Sequence, residues 1–179
     1  GTIQPINEIG KIAQKNKVYF HTDACQAGML DLDVGRLNVD LLSLNGSKIY
    51  GPKGTGLLYK KSGVPLHPLL HGGGQERELR SGTENVAGIV GFAKALSLLQ
   101  QQKDHESKRL MHLRDKLVQG IKKSIQNTVL NGHPTQRLPG NASITFPGVD
   151  TEALLIAMNE HGIFASAGSA CTSRKLGPS

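Results

Sequence analysis

Residues 41–56 read LLSLNGSKIYGPKGTG, and their reading decides the fold. An apolar run with Leu41, Leu42 and Leu44 stops at a turn that carries one lysine, Lys48. Glycine, proline, a second lysine and two more glycines come next. A short apolar run bounded by turn signals reads as a buried strand, here within VDLLSLNG at 39–46, and GTGLLYKK at 54–61 reads as another. Upstream, KVYFHTDA at 17–24 is rich in β-forming residues and predicts a strand ending near Asp23. Before it, Pro5 suits the first turn of a helix, and Ile6, Ile9 and Ile12 recur at helical spacing. Helix and strand alternating over short connections predict an α/β fold with a largely parallel sheet. Such sheets bind ligands beyond the carboxyl ends of their strands, where Asp23 and Lys48 both fall.

Downstream, residues 66–86 with three consecutive glycines predict a long irregular loop. From about Thr83 a helical stripe of Val86, Ile89, Val90, Ala93 and Leu96 begins, its start capped by residues 81–84. A second helix reads through Leu110, Leu113, Leu117, Ile121 and Ile125, its stripe expected to be core packing. The polar join QQQKDHESK at 100–108 suggests a bend or a domain boundary. Strands within 127–132 and 141–147, then a helix from about Thr151 to His161, suit a small α/β domain. The expected division is 1–104 and 105–179.

Hydrophobic content of 37% and charged content of 20% describe an ordinary globular chain. A formal charge of +7 raises the possibility of a nucleic-acid partner. The cations are scattered, however, with acids between several of them and no interleaved aromatics for base stacking. No direct nucleic-acid contact and no membrane span are expected, nor any secretory leader. Cys25 and Cys171 are too few and too far apart for a disulfide framework or a metal site. Free thiols suit a reducing, cytoplasmic setting.

The residues leave two readings of Lys48: a surface lysine on an ordinary turn, or an amine held for covalent chemistry with a carbonyl compound, which requires a lowered pKa. The strand before it suggests desolvation. Asp23, ending a buried strand, needs a partner; it caps the next helix, or it keeps a pyridine nitrogen protonated as pyridoxal phosphate chemistry requires. Gln26 is placed to reach a ring substituent. Cys171 sits among small residues suited to a mobile, accessible loop. Cys25 reads as a packed thiol, and His21, His67 and His71 as loop or surface residues.

Residues 21–59 (HTDACQAGMLDLDVGRLNVDLLSLNGSKIYGPKGTGLLY), 72–85 (GGGQERELRSGTEN) and 166–173 (SAGSACTS) resemble successive segments of the cysteine desulfurase family. That family belongs to the class V aminotransferase group and has the fold of aspartate aminotransferase. The resemblance implies pyridoxal 5'-phosphate as cofactor, bound covalently by Lys48, with Asp23 on its ring nitrogen and Gln26 on its ring hydroxyl. Thr83 would reach the phosphate of a partner subunit, which implies a homodimer. Cys171 would take sulfur from L-cysteine as a persulfide, leaving L-alanine, and pass it to iron–sulfur scaffold or tRNA-thiolation proteins. GSACTS resembles the group with an extended cysteine loop. Where the family has Ser-Gly-His-Lys, this chain has Asn45-Gly46-Ser47-Lys48, so Asn45 and Ser47 stand at phosphate-contact positions without the imidazole. The family's upstream phosphate loop, ring-stacking histidine and carboxylate-binding arginine have no counterpart here, so the chain resembles a middle-to-late fragment. Selenocysteine lyase, or a non-catalytic fragment, are the alternatives.

Overall fold

A computed structural model describes residues 1–168, and the predicted nucleophile Cys171 lies outside them. The described chain forms two compact units. The first comprises Gly1–Lys116 and Gly132–Asn141; the second comprises Leu117–Asn131 and the described residues from Ala142 on.

In the first unit, helix α1 (Ile6–Lys15) starts directly after Pro5, as the fixed φ of proline favours. Strand β1 (His21–Asp23) comes after it, then the short helix α2 (Val34–Leu37). Asp33 caps α2 by accepting from the backbone N–H groups of Gly35 and Arg36. The chain then enters β2 (Leu41–Asn45), a 3-10 turn over Gly46–Lys48, and β3 (Gly56–Lys60). The sheet order is β1-β2-β3. β1 and β2 are parallel, with Asp23 opposite Ser43. β3 runs antiparallel to β2, with Asn45 opposite Gly56. The reason is length: a parallel return needs a crossover of a dozen or more residues, and residues 46–55 are too few. The α/β class therefore holds, with one antiparallel neighbour beside the parallel pair.

Alternation sorts the sheet's two faces. Leu42 and Leu44 are buried, and they join Ala24, Val39, Ile49, Phe92 and Leu99 in one core cluster. Leu41, Ser43 and Asn45 stay half-buried on the other face. Within the first unit, the buried side of helix α3 (Val86–Ser124) is Gly88, Phe92 and Leu99, with Ala95 and Leu96 partly buried.

Three expectations about this helix need correction. Periodicity puts its apolar stripe on Val86, Ile89, Val90, Ala93 and Leu96, yet the first four are exposed in this chain, Val86 by 66%, and Leu96 alone packs partly buried against the core. The buried face is rotated to Gly88 and Phe92, where a small residue lets the helix approach closely: a Cβ on Gly88 would lie 2.7 Å from the Thr55 methyl. The cap is Asn85, whose Oδ1 accepts from Gly88 N at 3.0 Å, not residues 81–84. Finally, the two expected helices are one. Residues 100–108 contain no glycine or proline, so nothing stops propagation, and an Arg109–Glu106 ion pair spans one turn there. Of the second stripe, Leu113, Leu117 and Ile125 are exposed.

Residues 61–85 are irregular, as expected. Glu76, Arg77 and Glu78 hold φ of 50, 59 and 65° in succession. Left-handed backbone costs a residue with a Cβ roughly 1–2 kcal/mol, whereas glycine adds about 0.5–1 kcal/mol of unfolded-state entropy. Glu78→Gly should therefore stabilise the chain modestly, by about 0.5–1 kcal/mol. Urea denaturation of the two chains checks this, and a lower midpoint for the variant would show that the loop holds no such strain.

In the second unit, β4 (Val129–Leu130) pairs antiparallel with β5 (Ile144–Thr145). Helix α4 (Thr151–Glu160) starts at Asp150, whose carboxylate accepts from Ala153 N at 2.9 Å. Among the described residues, no helix is long and apolar enough to cross a membrane.

Candidate active site

The carboxyl ends of β1 and β2 lie side by side, because the two strands are parallel and in register through Asp23 and Ser43. Beyond β1, Ala24 N donates to Ser43 O at 2.9 Å and continues the ladder by one bond. The chain then turns, with Ala27 N donating to Ala24 O at 2.8 Å. Cys25 and Gln26 occupy the two central positions of this turn. Asp23 Oδ1 accepts from Cys25 N at 3.0 Å, the local side-chain-to-backbone bond that aspartate favours at turns.

Beyond β2, Asn45 Oδ1 accepts from Ser47 N at 2.9 Å and from Ser47 Oγ at 2.8 Å. These bonds cap the 3-10 turn that presents Lys48. Gly46 N donates to Thr55 O, and Gly51 N to Gly46 O at 2.8 Å. Buried Gly46 and Ile49 thus bracket exposed Ser47 and Lys48. Two buried anchors hold a short polar turn, which limits where the amine can go.

The electrostatics are asymmetric. The Cys25 thiol, and then its backbone N–H, hold the Asp23 carboxyl below the usual carboxylate range, with the charge of His21 adding to this. The Cys25 thiol is pushed up to about 11, first by burial and then by Asp23, while the charge of Lys48 opposes the rise. Cys25 is therefore almost wholly protonated at neutral pH and a poor nucleophile.

Asp23 ends β1, Asn45 ends the neighbouring β2, and Ser47 and Lys48 follow in the turn beyond it, with Gln26 in the turn beyond β1. One expectation changes. Asp23 and Lys48 are both exposed in this chain, so the described residues do not supply the burial expected around either. Thr83 lies exposed in the loop before α3. His21 is more than a surface residue. Its Nε2 lies 2.8 Å from Ser43 Oγ, on the sheet face that carries Asp23. The signal is present in the sequence, since residues two apart on a strand share a face.

A carboxylate at the end of β1 and a primary amine on the turn beyond the neighbouring β2 suit a ligand that offers a protonated ring nitrogen and an aldehyde. Pyridoxal phosphate fits this donor set. Among the described residues, no group of three or more His, Cys, Asp or Glu could hold a metal ion.

The family model for class-V aminotransferases matches residues 1–177. The chain is 55% identical over its whole length to cysteine desulfurase IscS of Methanosarcina thermophila, covering 44% of that protein. It is 50% identical to the mitochondrial cysteine desulfurase of Saccharomyces cerevisiae, covering 36% of it. Among solved structures, the NifS-like protein of Rickettsia africae superposes with a TM-score of 0.89 at 36% identity, over 94% of this chain and 47% of that one. The chain thus spans about half the length, or less, of the relatives it matches. With a family match from end to end and the expected carboxylate and amine on neighbouring strand ends, this chain belongs to the class-V aminotransferase family.

Proposed function

We propose that the chain belongs to a pyridoxal phosphate-dependent cysteine desulfurase that converts L-cysteine to L-alanine. The observation that carries this is the placement of Asp23 at the end of β1 and of Lys48 in the 3-10 turn just beyond the parallel, in-register β2, in a chain 55% identical to a cysteine desulfurase. When bound, the cofactor supplies an electron sink that makes bonds at the substrate carbon labile.

The chain's own residues have separable tasks. Lys48 anchors the cofactor through its amine and, once free, takes and returns a proton at the substrate carbon. Asp23 holds a proton at the ring nitrogen, because an anion there favours the charged ring. Gln26 contacts the ring hydroxyl; Asn45 and Ser47 contact the phosphate, and Thr83 does so across a homodimer. Cys171 attacks the substrate sulfur. The carbon–sulfur bond breaks and a sulfur–sulfur bond forms, giving one alanine and one persulfide with no outside oxidant. Cys25 is unsuited to that role because its thiol stays protonated. Residues 1–104 belong to the cofactor-binding part and 105–179 to the small domain. The persulfide sulfur goes to iron–sulfur scaffold or tRNA-thiolation proteins in the cytoplasm.

The test is to mix the chain with pyridoxal phosphate, reduce with borohydride and map the labelled peptide. Label on Lys48 is expected; in a separate unreduced sample, L-cysteine should give persulfide on Cys171 and none in Cys171→Ala. Label scattered over surface lysines would overturn the assignment of Lys48.

A further inference from the structure

The polar run that begins at Gln100 has no role in that chemistry, yet its first residue holds the loop beside the site. Gln100 is half-buried on α3. Its Nε2 donates to Gly28 O at 2.6 Å and to Leu30 O at 3.0 Å, bonds that span 72 and 70 residues of chain. Its Oε1 accepts from Lys103 Nζ at 3.1 Å. Residues 24–30 form two linked turns, in which Ala27 N donates to Ala24 O and Leu30 N to Ala27 O, each at 2.8 Å. The ladder bond from Ala24 N to Ser43 O fastens the near end of this double turn, and Gln100 fastens the far end.

We propose that Gln100 is a positioning residue: its carboxamide clamps to α3 the double turn that carries Gln26 and whose Cys25 N–H holds the Asp23 carboxylate, so that both side chains stay set against Lys48 for the cofactor's ring. The link to the cofactor rests on the desulfurase reading, whereas the clamp does not.

A clamp has three supports. A primary amide has two N–H donors and one carbonyl acceptor, and here two carbonyls and one ammonium occupy them. The clamped end lies against the lysine turn. Gly28 is buried, and a Cβ on it would lie 2.5 Å from Ile49 Cγ2 and 2.9 Å from Leu99 Cδ2. Ile49 follows Lys48, so any drift of the double turn changes its spacing from the amine. Finally, Asp23 and Gln26 are exposed, so packing does not fix them. A binding group on a loop is only as precise as the bonds that hold the loop.

Glutamine, glutamate and lysine have similar helix propensities, so exchanging them at position 100 leaves α3 itself intact. Gln100→Glu keeps the shape and removes both donors; Gln100→Lys keeps donors of similar reach. Amide hydrogen exchange of the chain without cofactor reads the clamp directly, because the Ala27 and Leu30 amides are bonded within the double turn. Gln100→Glu should speed exchange over residues 24–30 by about tenfold, since two net hydrogen bonds are lost, and leave the α3 segment 86–98 unchanged. Gln100→Lys should stay close to the parent. Equal exchange over 24–30 in Gln100→Glu and the parent overturns the proposal.

Cofactor affinity of the full chain, followed by absorbance, reads the consequence. Gln100→Glu should weaken pyridoxal phosphate binding by about tenfold, the same factor by which the turn opens, and Gln100→Lys should retain most of it. A Gln100→Glu chain whose double turn exchanges faster, yet which binds the cofactor as the parent does, would sink the positioning role. Gln100→Glu and Gln100→Lys losing affinity equally would do the same, because the donors would not matter. A chain that bound no cofactor at all would count against the desulfurase reading of Lys48, and the exchange rates would still decide the clamp.

Discussion

Ile49→Ala lowers the stability of the chain by about 3 kcal/mol, within the usual range of roughly 2–5 kcal/mol for a large-to-small change in a core. Ile49 is 1% exposed, the most deeply buried side chain of the cluster that includes Leu42, Leu44, Phe92 and Leu99. Its surroundings are close: a Cβ built on Gly28 would lie 2.5 Å from Ile49 Cγ2. A truncated side chain leaves a cavity lined by several elements that cannot all collapse into it. The urea midpoint should fall by roughly 1–3 M at the slopes typical of small proteins. Ile49→Val, which removes one methylene, should cost about 1 kcal/mol. Because Ile49 is the residue after Lys48, the Ile49→Ala variant should also loosen the lysine turn and lower borohydride-trapped cofactor per folded chain. An Ile49→Ala chain as stable as the parent would mean that this core does not hold the turn.

The second large effect is at Gly46, and it acts by crowding. A Cβ there would run into Thr55 Oγ1, lie 2.8 Å from Pro52 O and 3.1 Å from Phe92 Cδ2. The first contact could move, but the second is backbone, fixed where Thr55 Oγ1 donates to it at 2.7 Å. Overpacking of this kind costs about 1–3 kcal/mol. Gly46 also donates its N–H to Thr55 O and accepts from Gly51 N, so a shift to relieve the clash would disturb both bonds. Gly46→Ala should therefore lose about 2–3 kcal/mol and a large part of covalent cofactor loading. Gly46→Ala combined with Thr55→Ala should recover only part of the stability, because the Pro52 carbonyl remains in the way. Full recovery in the double variant would place the whole conflict at Thr55.

Much of this site is legible in the sequence. Apolar runs that stop at turn residues place Asp23 and Lys48 at strand ends, a local property of the chain. The helix starts after Pro5 and Asp150 reflect first-turn and capping chemistry, equally local. The expected nucleophile Cys171 rests on its setting among small residues and on the resemblance, and it lies beyond residue 168. The discrepancy in α3 is rotational. Periodicity assigns its stripe to Val86, Ile89, Val90, Ala93 and Leu96, but the helix buries the face with Gly88 and Phe92. Close approach selects the small residue, and periodicity alone cannot see the approaching surface.

By itself the sequence determined where most strands, turns and capped helices lie, since these depend on residues within a few positions of one another. It also determined the family, through motifs spread in order along the chain. Only the tertiary structure decided which face of the helix over 86–124 is buried, and that His21, Ser43, Cys25 and Asp23 form one cluster. The cluster depends on groups far apart in the chain, as in the His21–Ser43 contact across 22 residues. The free energy of such contacts comes from register and close approach, which no single stretch of chain encodes.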